Sequence, residues 1–175
     1  EGQSLGERVR ELCQAGDQKE LFYLKNLFYE MALWLLDQPF AHGDLKHDNI
    51  LISPQGHLKL IDYDGMFVPA LQGLEAIETG GKAYQHPDRN FTWFDRHLDD
   101  FSLLAIAASL EALTFKPHLL PENSDNLLID APMLENFQDE RWEAISEDLP
   151  HPELCDFLLN WVERGRMPKV KQLLS

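Results

Sequence analysis

Hydrophobic residues recur every three or four positions early in the chain, a spacing that places one apolar stripe along a single helix. The positions with this spacing are Leu21, Leu24, Phe28, Met31 and Leu35. Asp17, with Glu20 three residues later, predicts the beginning of this helix. Pro39 predicts its end near residue 36, because proline disfavours helix in the residue before it. A shorter helix is predicted over 7–13, after an irregular start of the chain.

The pattern then changes to short apolar runs that are separated by turn residues. Residues 50–52 and 58–61 flank the turn sequence 53–56 and predict a β-hairpin. The next stretch, 63–90, contains six glycines or prolines. Because a loop of this length inside a compact domain is usually functional, we expect this stretch to belong to a site.

Three more helices are predicted after this loop. Residues 98–113 are nearly all apolar, as expected of a buried helix. Residues 153–162 form an amphipathic pattern with Phe157 on the apolar face, and 170–174 predicts a last short helix. The tryptophans, Trp34 among them, are expected in the core. The order of elements predicts a mainly α fold (α+β) with one small β-hairpin.

Composition and charge narrow the class of protein. A chain of 175 residues that is 44% hydrophobic and 26% charged suits one domain or one large lobe with a real core. A formal net charge of −15 argues against binding to nucleic-acid phosphates or anionic lipid. Cys13 and Cys155 lie in no disulfide or metal-ligand pattern, and free thiols fit a reducing compartment. We therefore expect a cytoplasmic protein without nucleic-acid or membrane partners.

The late part of the chain is strongly acidic. Residues 122–156 contain eleven acidic residues and one basic residue, Arg141. A charge run of this kind usually forms a solvated face. The alternative interpretation is a docking surface for a basic partner.

Three oxygen-bearing side chains lie on either side of the predicted hairpin. Asn49 follows Asp44 by five residues, and Asp62 follows Asp44 by eighteen. The hairpin between them brings both of its ends to one edge, so these side chains are expected to meet around a common point. Phosphoryl transfer needs hard oxygen ligands for Mg²⁺ and a carboxylate that orients the attacking hydroxyl. Lys46, two residues after Asp44, is placed to neutralise charge on the transferred group.

These segments, 42–49 and 60–65, resemble the eukaryotic-type protein kinase superfamily, with its pattern H-R-D-L-K-x-x-N followed by D-F-G. The resemblance implies a protein kinase-like C-terminal lobe that uses ATP and Mg²⁺ and phosphorylates a protein on serine or threonine. By this resemblance, Asp44 is the catalytic base and Lys46 contacts the phosphate. Asn49 and Asp62 bind the cofactor and are the metal ligands. Leu51 contacts the adenine ring.

The resemblance extends along nearly the whole chain. It implies a hinge remnant at 1–6, a catalytic loop at 40–49 and an activation segment at 62–88. Residues 84–88 resemble the motif that closes this segment, and 99–103 resemble the start of the buried central helix. Two roles follow from it: Asp99 should bind the backbone of the catalytic loop, and Arg164 or Arg166 should pair with Asp88.

Three departures from the family pattern concern activity. Gly43 replaces the usual arginine, so no phosphorylation switch is expected there. Asp64 places a second carboxylate beside the metal loop, either as an extra ligand, as a disturbance or as a turn residue. The 175 residues contain no glycine-rich loop and no strand lysine, so the lobe alone is expected to be inactive or nearly so. A pseudokinase scaffold and a small-molecule phosphotransferase of the aminoglycoside or choline kinase type remain the alternatives.

Overall fold

The computed structural model describes residues 2–122, 125–136, 138–164 and 170–174, except for the side chains of residues 163 and 164. The chain begins with strand β1, Gln3–Ser4, and helix α1, Leu5–Ala15. Ser4 and Glu7 form a complete capping box at the start of α1: Glu7 N donates to Ser4 Oγ at 3.2 Å, and Ser4 N donates to Glu7 Oε2 at 2.9 Å. The helix therefore begins two residues before the predicted position, and a strand replaces the irregular start.

Helix α2, Gln18–Leu36, is the long helix that the apolar stripe predicts. Asp17 caps it, since Glu20 N donates to Asp17 Oδ1 at 3.1 Å. Four of the five stripe residues are buried, and Met31 is half-buried. Trp34 lies beside this stripe with 56% of its surface exposed, so the expectation that this tryptophan is a core residue was wrong.

The sheet is small, antiparallel and three-stranded, in the order β1-β2-β3. Strands β2, Ile50–Ile52, and β3, Leu58–Leu60, form the predicted hairpin. Leu51 pairs with Ser4 on one side and with Lys59 on the other. This arrangement attaches the start of the chain directly to the hairpin.

Helix α3, Asp100–Phe115, is the centre of the core and packs against α2. All of its residues except Phe115 are buried, so it has no polar face, as the nearly continuous apolar run predicts. Glu111 lies within this helix and forms a buried ion pair with Lys25 of α2, with 2.8 Å between Nζ and Oε2. The attraction between the two opposite charges offsets the free-energy cost of removing each of them from water.

In the part of the chain that the structure describes, the α-helices after α3 are α4, Ala131–Glu135; α5, Arg141–Ser146; α6, Glu153–Arg164; and α7, Val170–Leu174. The helices α4 and α5 were not predicted. Leu154, Leu158 and Trp161 of α6 are buried, but Phe157 is 39% exposed and lies off the apolar face on which it was predicted.

The described residues therefore form a helix-rich α+β fold with a small antiparallel sheet, and this part of the predicted fold class is confirmed. Among the helices that the structure describes, none combines the length and apolar character needed to cross a bilayer.

Candidate functional site

The loop at 41–46 is anchored through its backbone to the start of α3. Asp99 is buried, and its carboxylate accepts two hydrogen bonds, from His42 N at 2.5 Å and from Gly43 N at 2.9 Å. Burial raises the pKa of Asp99, while these two N–H donors act in the opposite direction. The structural contact predicted for Asp99 is therefore present.

His42 connects this loop to the end of the hairpin. Its side chain is fully buried, and Nε2 lies 2.8 Å from Ile61 O. The backbone N–H of Ile61 donates to Asn49 O at 3.0 Å, so Ile61 is bound to the loop through both its N–H and its carbonyl. This double attachment sets the position of Asp62, the next residue. His42 thus organises this loop by linking it to the end of the hairpin.

Asp44 is buried and accepts hydrogen bonds on both carboxylate oxygens. Lys46 Nζ donates to Oδ2 at 3.0 Å, and Asn49 Nδ2 donates to the same oxygen at 3.3 Å. Gly81 N donates to Oδ1 at 2.9 Å. The predicted catalytic loop and the segment that follows the hairpin therefore meet at this carboxylate.

Lys46 carries a stabilised positive charge at the site. Its hydrogen bond to Asp44 raises the pKa of the ammonium group, and the nearby carboxylates of Asp62 and Asp48 act in the same direction, although burial opposes them. Lys46 is therefore a cation held between the predicted base and the predicted metal ligand.

Asp62 lies two residues after the end of β3 and has a left-handed backbone, with φ of 67°. A positive φ is uncommon for a residue other than glycine and occurs often at functional sites. Its carboxylate is exposed, in contrast to the buried carboxylate of Asp44. The chain thus turns sharply at the point where the predicted metal ligand is presented.

Asn49 and Asp62 offer oxygen atoms of the kind that a hard divalent cation prefers. Asn49 directs Nδ2 towards Asp44, which leaves its carbonyl oxygen to point elsewhere, and Asp62 supplies an exposed carboxylate. Within the described ranges, no group of three or more His, Cys, Asp or Glu side chains is arranged to hold a metal ion. Mg²⁺ in phosphoryl-transfer sites uses one or two carboxylates together with substrate phosphates, so two ligands from the chain are compatible with it.

Leu51 and Asp64 are the two other residues predicted to lie at this site. Leu51 is half-buried in the central strand β2. Asp64 and Gly65 are the central residues of a turn closed by the hydrogen bond from Met66 N to Tyr63 O, 3.1 Å long. The side chain of Asp64 is exposed. Of the three interpretations of Asp64, its place in a turn is the one visible in the backbone.

His47 and Tyr84 form a buried connection between the predicted catalytic loop and the segment that contains residue 84. Tyr84 Oη accepts a hydrogen bond from Leu127 N at 3.1 Å and lies 2.8 Å from His47 Nδ1. Tyr84 Oη and His47 Nδ1 share one hydrogen bond, whose direction depends on the tautomer of the ring. Nε2 lies 3.4 Å from Asp48 Oδ1 without hydrogen-bond geometry. Burial lowers the pKa of His47 to about 4, so the ring is neutral at physiological pH.

Sequence reasoning did not identify Gln85 and Arg89 as parts of this site. Arg89 Nη1 donates to Gln85 Oε1 at 2.6 Å, and Gln85 Nε2 lies 3.5 Å from Gly43 O. The only sequence signal was their position in and directly after the 84–88 motif. Arg166, one of the two proposed partners of Asp88, lies outside the described residues, as does the side chain of the other, Arg164.

We compared the sequence with protein-family models and with curated proteins. No protein-family model matches the chain, and no curated protein matches it at a significant level.

Proposed function

We propose that this chain is the C-terminal lobe of a protein kinase-like domain that transfers the γ-phosphate of ATP to a serine or threonine hydroxyl of a protein. The observation that carries the proposal is the convergence of Lys46 and Asn49 on the carboxylate of Asp44, with Asp62 presented at the adjacent end of the hairpin. These are the residue types that positioning and charge neutralisation in phosphoryl transfer require.

Each residue has a distinct part in the proposed reaction. Asp44 orients the acceptor hydroxyl and accepts its proton. Lys46, paired with Asp44 at 3.0 Å, stabilises negative charge that develops on the transferred group. Asn49 and Asp62 would hold Mg²⁺, which when bound neutralises charge on the phosphates of ATP. Leu51 would contact the adenine ring from the central strand.

The proposal is tested with the full-length protein and radiolabelled ATP. Asp44→Asn is expected to reduce phosphoryl transfer by about 10²–10⁴-fold, the usual contribution of a positioned general base. ATP binding by this variant should remain within a few-fold of wild type in a Mg²⁺-dependent titration. Asp62→Asn should instead weaken Mg²⁺-dependent ATP binding. Asp156→Asn, an exposed carboxylate on α6, is the matched control and should change neither quantity.

Three outcomes would contradict parts of the proposal. Full transfer activity in Asp44→Asn would remove Asp44 as the base. Transfer only to small hydroxylated molecules would favour the aminoglycoside or choline kinase type of acceptor. Robust turnover by these 175 residues alone, abolished by Asp44→Asn, would show that no second lobe is needed.

A non-catalytic scaffold is the second candidate function. The observation that favours it is that both carboxylate oxygens of Asp44 already accept hydrogen bonds from the chain itself, including one from Gly81 N. In that case Asp44 would be a structural residue. No nucleotide binding by the full-length protein, with biological function retained in Asp44→Asn, would support the scaffold and leave 122–156 as the candidate partner surface.

A further inference from the structure

The catalytic loop has no side chain at position 43, and the structure gives a steric reason. Gly43 has φ of +86°, and a Cβ atom on it would lie 2.0 Å from the carbonyl oxygen of Gly65. A backbone carbonyl cannot yield as the end of a flexible side chain can. The arginine that the family pattern has at this position is therefore excluded, and the loop receives no cation from within its own HGD sequence.

Arg89 brings a cation to the same loop from the other end of the 62–88 segment. Its Nη1 donates to Gln85 Oε1 at 2.6 Å and lies 3.5 Å from Gly43 O. Gln85 is itself fixed between the loop and α3, with Nε2 3.5 Å from Gly43 O and 3.4 Å from Ser102 Oγ. The guanidinium and the amide therefore approach the same carbonyl group.

The side chain of Arg89 is incompletely hydrogen-bonded. Nε and Nη2 are buried and have no hydrogen-bond partner among the residues that the structure describes. Buried N–H donors without partners are rare and unfavourable, so packing and hydrogen bonding alone do not account for this placement. A charge interaction offsets part of this cost.

Four carboxylates supply that interaction. Burial lowers the pKa of Arg89, and the carboxylates that oppose this effect are those of Asp99, Asp44, Asp95 and Glu78. The guanidinium remains charged, because arginine does not deprotonate in proteins. In the reverse direction, Arg89 favours the ionised form of Asp99, whose two oxygens accept from His42 N and Gly43 N. The positive charge of Arg89 thus stabilises the Asp99 carboxylate, which binds the backbone of the 42–46 loop.

We propose that Arg89 is a positioning residue: its buried guanidinium, hydrogen-bonded to Gln85 beside Gly43 O, holds the 42–46 loop in place and supplies from position 89 the positive charge that position 43 cannot carry. This inference deepens the proposed function, because the 42–46 loop contains Asp44 and Lys46. It also implies a loop that is ordered without a phosphate group on the 62–88 segment. Small displacements of a reacting group reduce rates strongly, about 10²-fold for 1 Å, so positioning at this loop affects turnover.

The test measures hydrogen exchange at single amides in the full-length protein. The informative amides are those of His42 and Gly43, which donate to Asp99. Arg89→Met is expected to accelerate their exchange at least 10-fold, without a comparable change in α3. Arg89→Lys, which keeps the charge, should restore more than half of the lost protection on a logarithmic scale, whereas the neutral Arg89→Gln should not. Arg96→Met is the matched control, since Arg96 is an exposed arginine nearby, and it should leave these amides unchanged.

Kinetics provide a second measurement that separates this inference from the proposed function. Arg89→Met should lower kcat for phosphoryl transfer at least 10-fold while the KM for ATP stays within about 2-fold. If the wild-type protein transfers no phosphate, the proposed function fails, and the exchange rates still decide the role of Arg89. Unfolding of Arg89→Met with a folded Arg89→Lys supports the charge role. Wild-type exchange in Arg89→Met, equal effects of Met and Lys, or unfolding of both variants would overturn it.

Discussion

An alanine at position 43 is expected to destabilise the protein more than an alanine at position 73, although both glycines have the same left-handed backbone. Gly43 has φ of +86° and Gly73 has φ of +87°. A Cβ on Gly73 has no heavy atom within 4 Å, whereas a Cβ on Gly43 lies 2.0 Å from Gly65 O. The two substitutions therefore differ mainly in one steric contact.

The expected magnitudes follow from this geometry. A left-handed backbone costs an L-residue about 1–2 kcal/mol, and this penalty is common to Gly43→Ala and Gly73→Ala. The lower entropy of the unfolded chain on replacing glycine is also common to both. Only Gly43→Ala must then move a carbonyl oxygen by about 1.4 Å, from 2.0 Å to the 3.4 Å of an ordinary contact, and overpacking of this kind costs about 1–3 kcal/mol. The excess destabilisation of Gly43→Ala should therefore be about 1–3 kcal/mol.

Urea denaturation followed by tryptophan fluorescence measures this difference directly. On the usual scale of about 2–4 °C per kcal/mol for a chain of this size, the Tm of Gly43→Ala should lie roughly 2–12 °C below that of Gly73→Ala. Equal free energies of unfolding in the two variants would refute the steric reasoning. So would a structure of Gly43→Ala in which Gly65 has not moved.

Three other predictions test the packing around the site. Lys25→Met should destabilise the protein by about 3–5 kcal/mol in urea denaturation, because it leaves the buried Glu111 carboxylate without its partner at 2.8 Å, and adding Glu111→Leu should recover most of the loss. Tyr84→Phe should cost about 1–3 kcal/mol by the same assay, because it removes the hydroxyl that binds His47 and leaves buried groups unpaired. Asp100→Asn should change the pH dependence of stability: burial raises the pKa of Asp100 to about 6, so the folded wild type binds more protons than the unfolded chain between about pH 4 and pH 6. As pH rises from about 4 to 7, wild type should therefore lose up to about 3 kcal/mol of stability relative to Asp100→Asn, as measured by urea denaturation across this range.

Each of these predictions has a clear contrary result. A double variant of Lys25 and Glu111 as unstable as Lys25→Met would show that the ion pair itself stabilises the core. Unchanged stability in Tyr84→Phe would mean that water replaces the hydroxyl. A constant difference in stability between wild type and Asp100→Asn from pH 4 to pH 7 would show that Asp100 titrates normally in the folded protein.

The elements that were predicted correctly depend on local patterns. The stripe of α2, the hairpin and the apolar run of α3 each express a repeat within one segment, which a sequence displays directly. Helices α4 and α5 have five and six residues, too few to establish a periodic pattern. The apolar faces were less predictable still, since exposure of Trp34 and Phe157 depends on which neighbours pack against each helix.

The site was predictable where its residues lie close together along the chain. Asp44, Lys46 and Asn49 belong to one short segment. The length of the hairpin predicts that Asp62 follows its second strand. Contacts between distant segments were not predictable in the same way. Arg89 lies 46 residues from Gly43, and no spacing rule connects the end of a long loop to a particular carbonyl group.

Gly43 shows how the structure changes the meaning of a sequence difference. Compared with the family pattern, it marks a missing arginine and a missing switch. In the structure, it is the residue that permits the chain after Asp62 to contact the 42–46 loop, because any side chain there would meet Gly65 O. The close backbone contact and an arginine at position 43 are mutually exclusive. The proposed role of Arg89 fits this exclusion, because its guanidinium approaches the same loop from position 89.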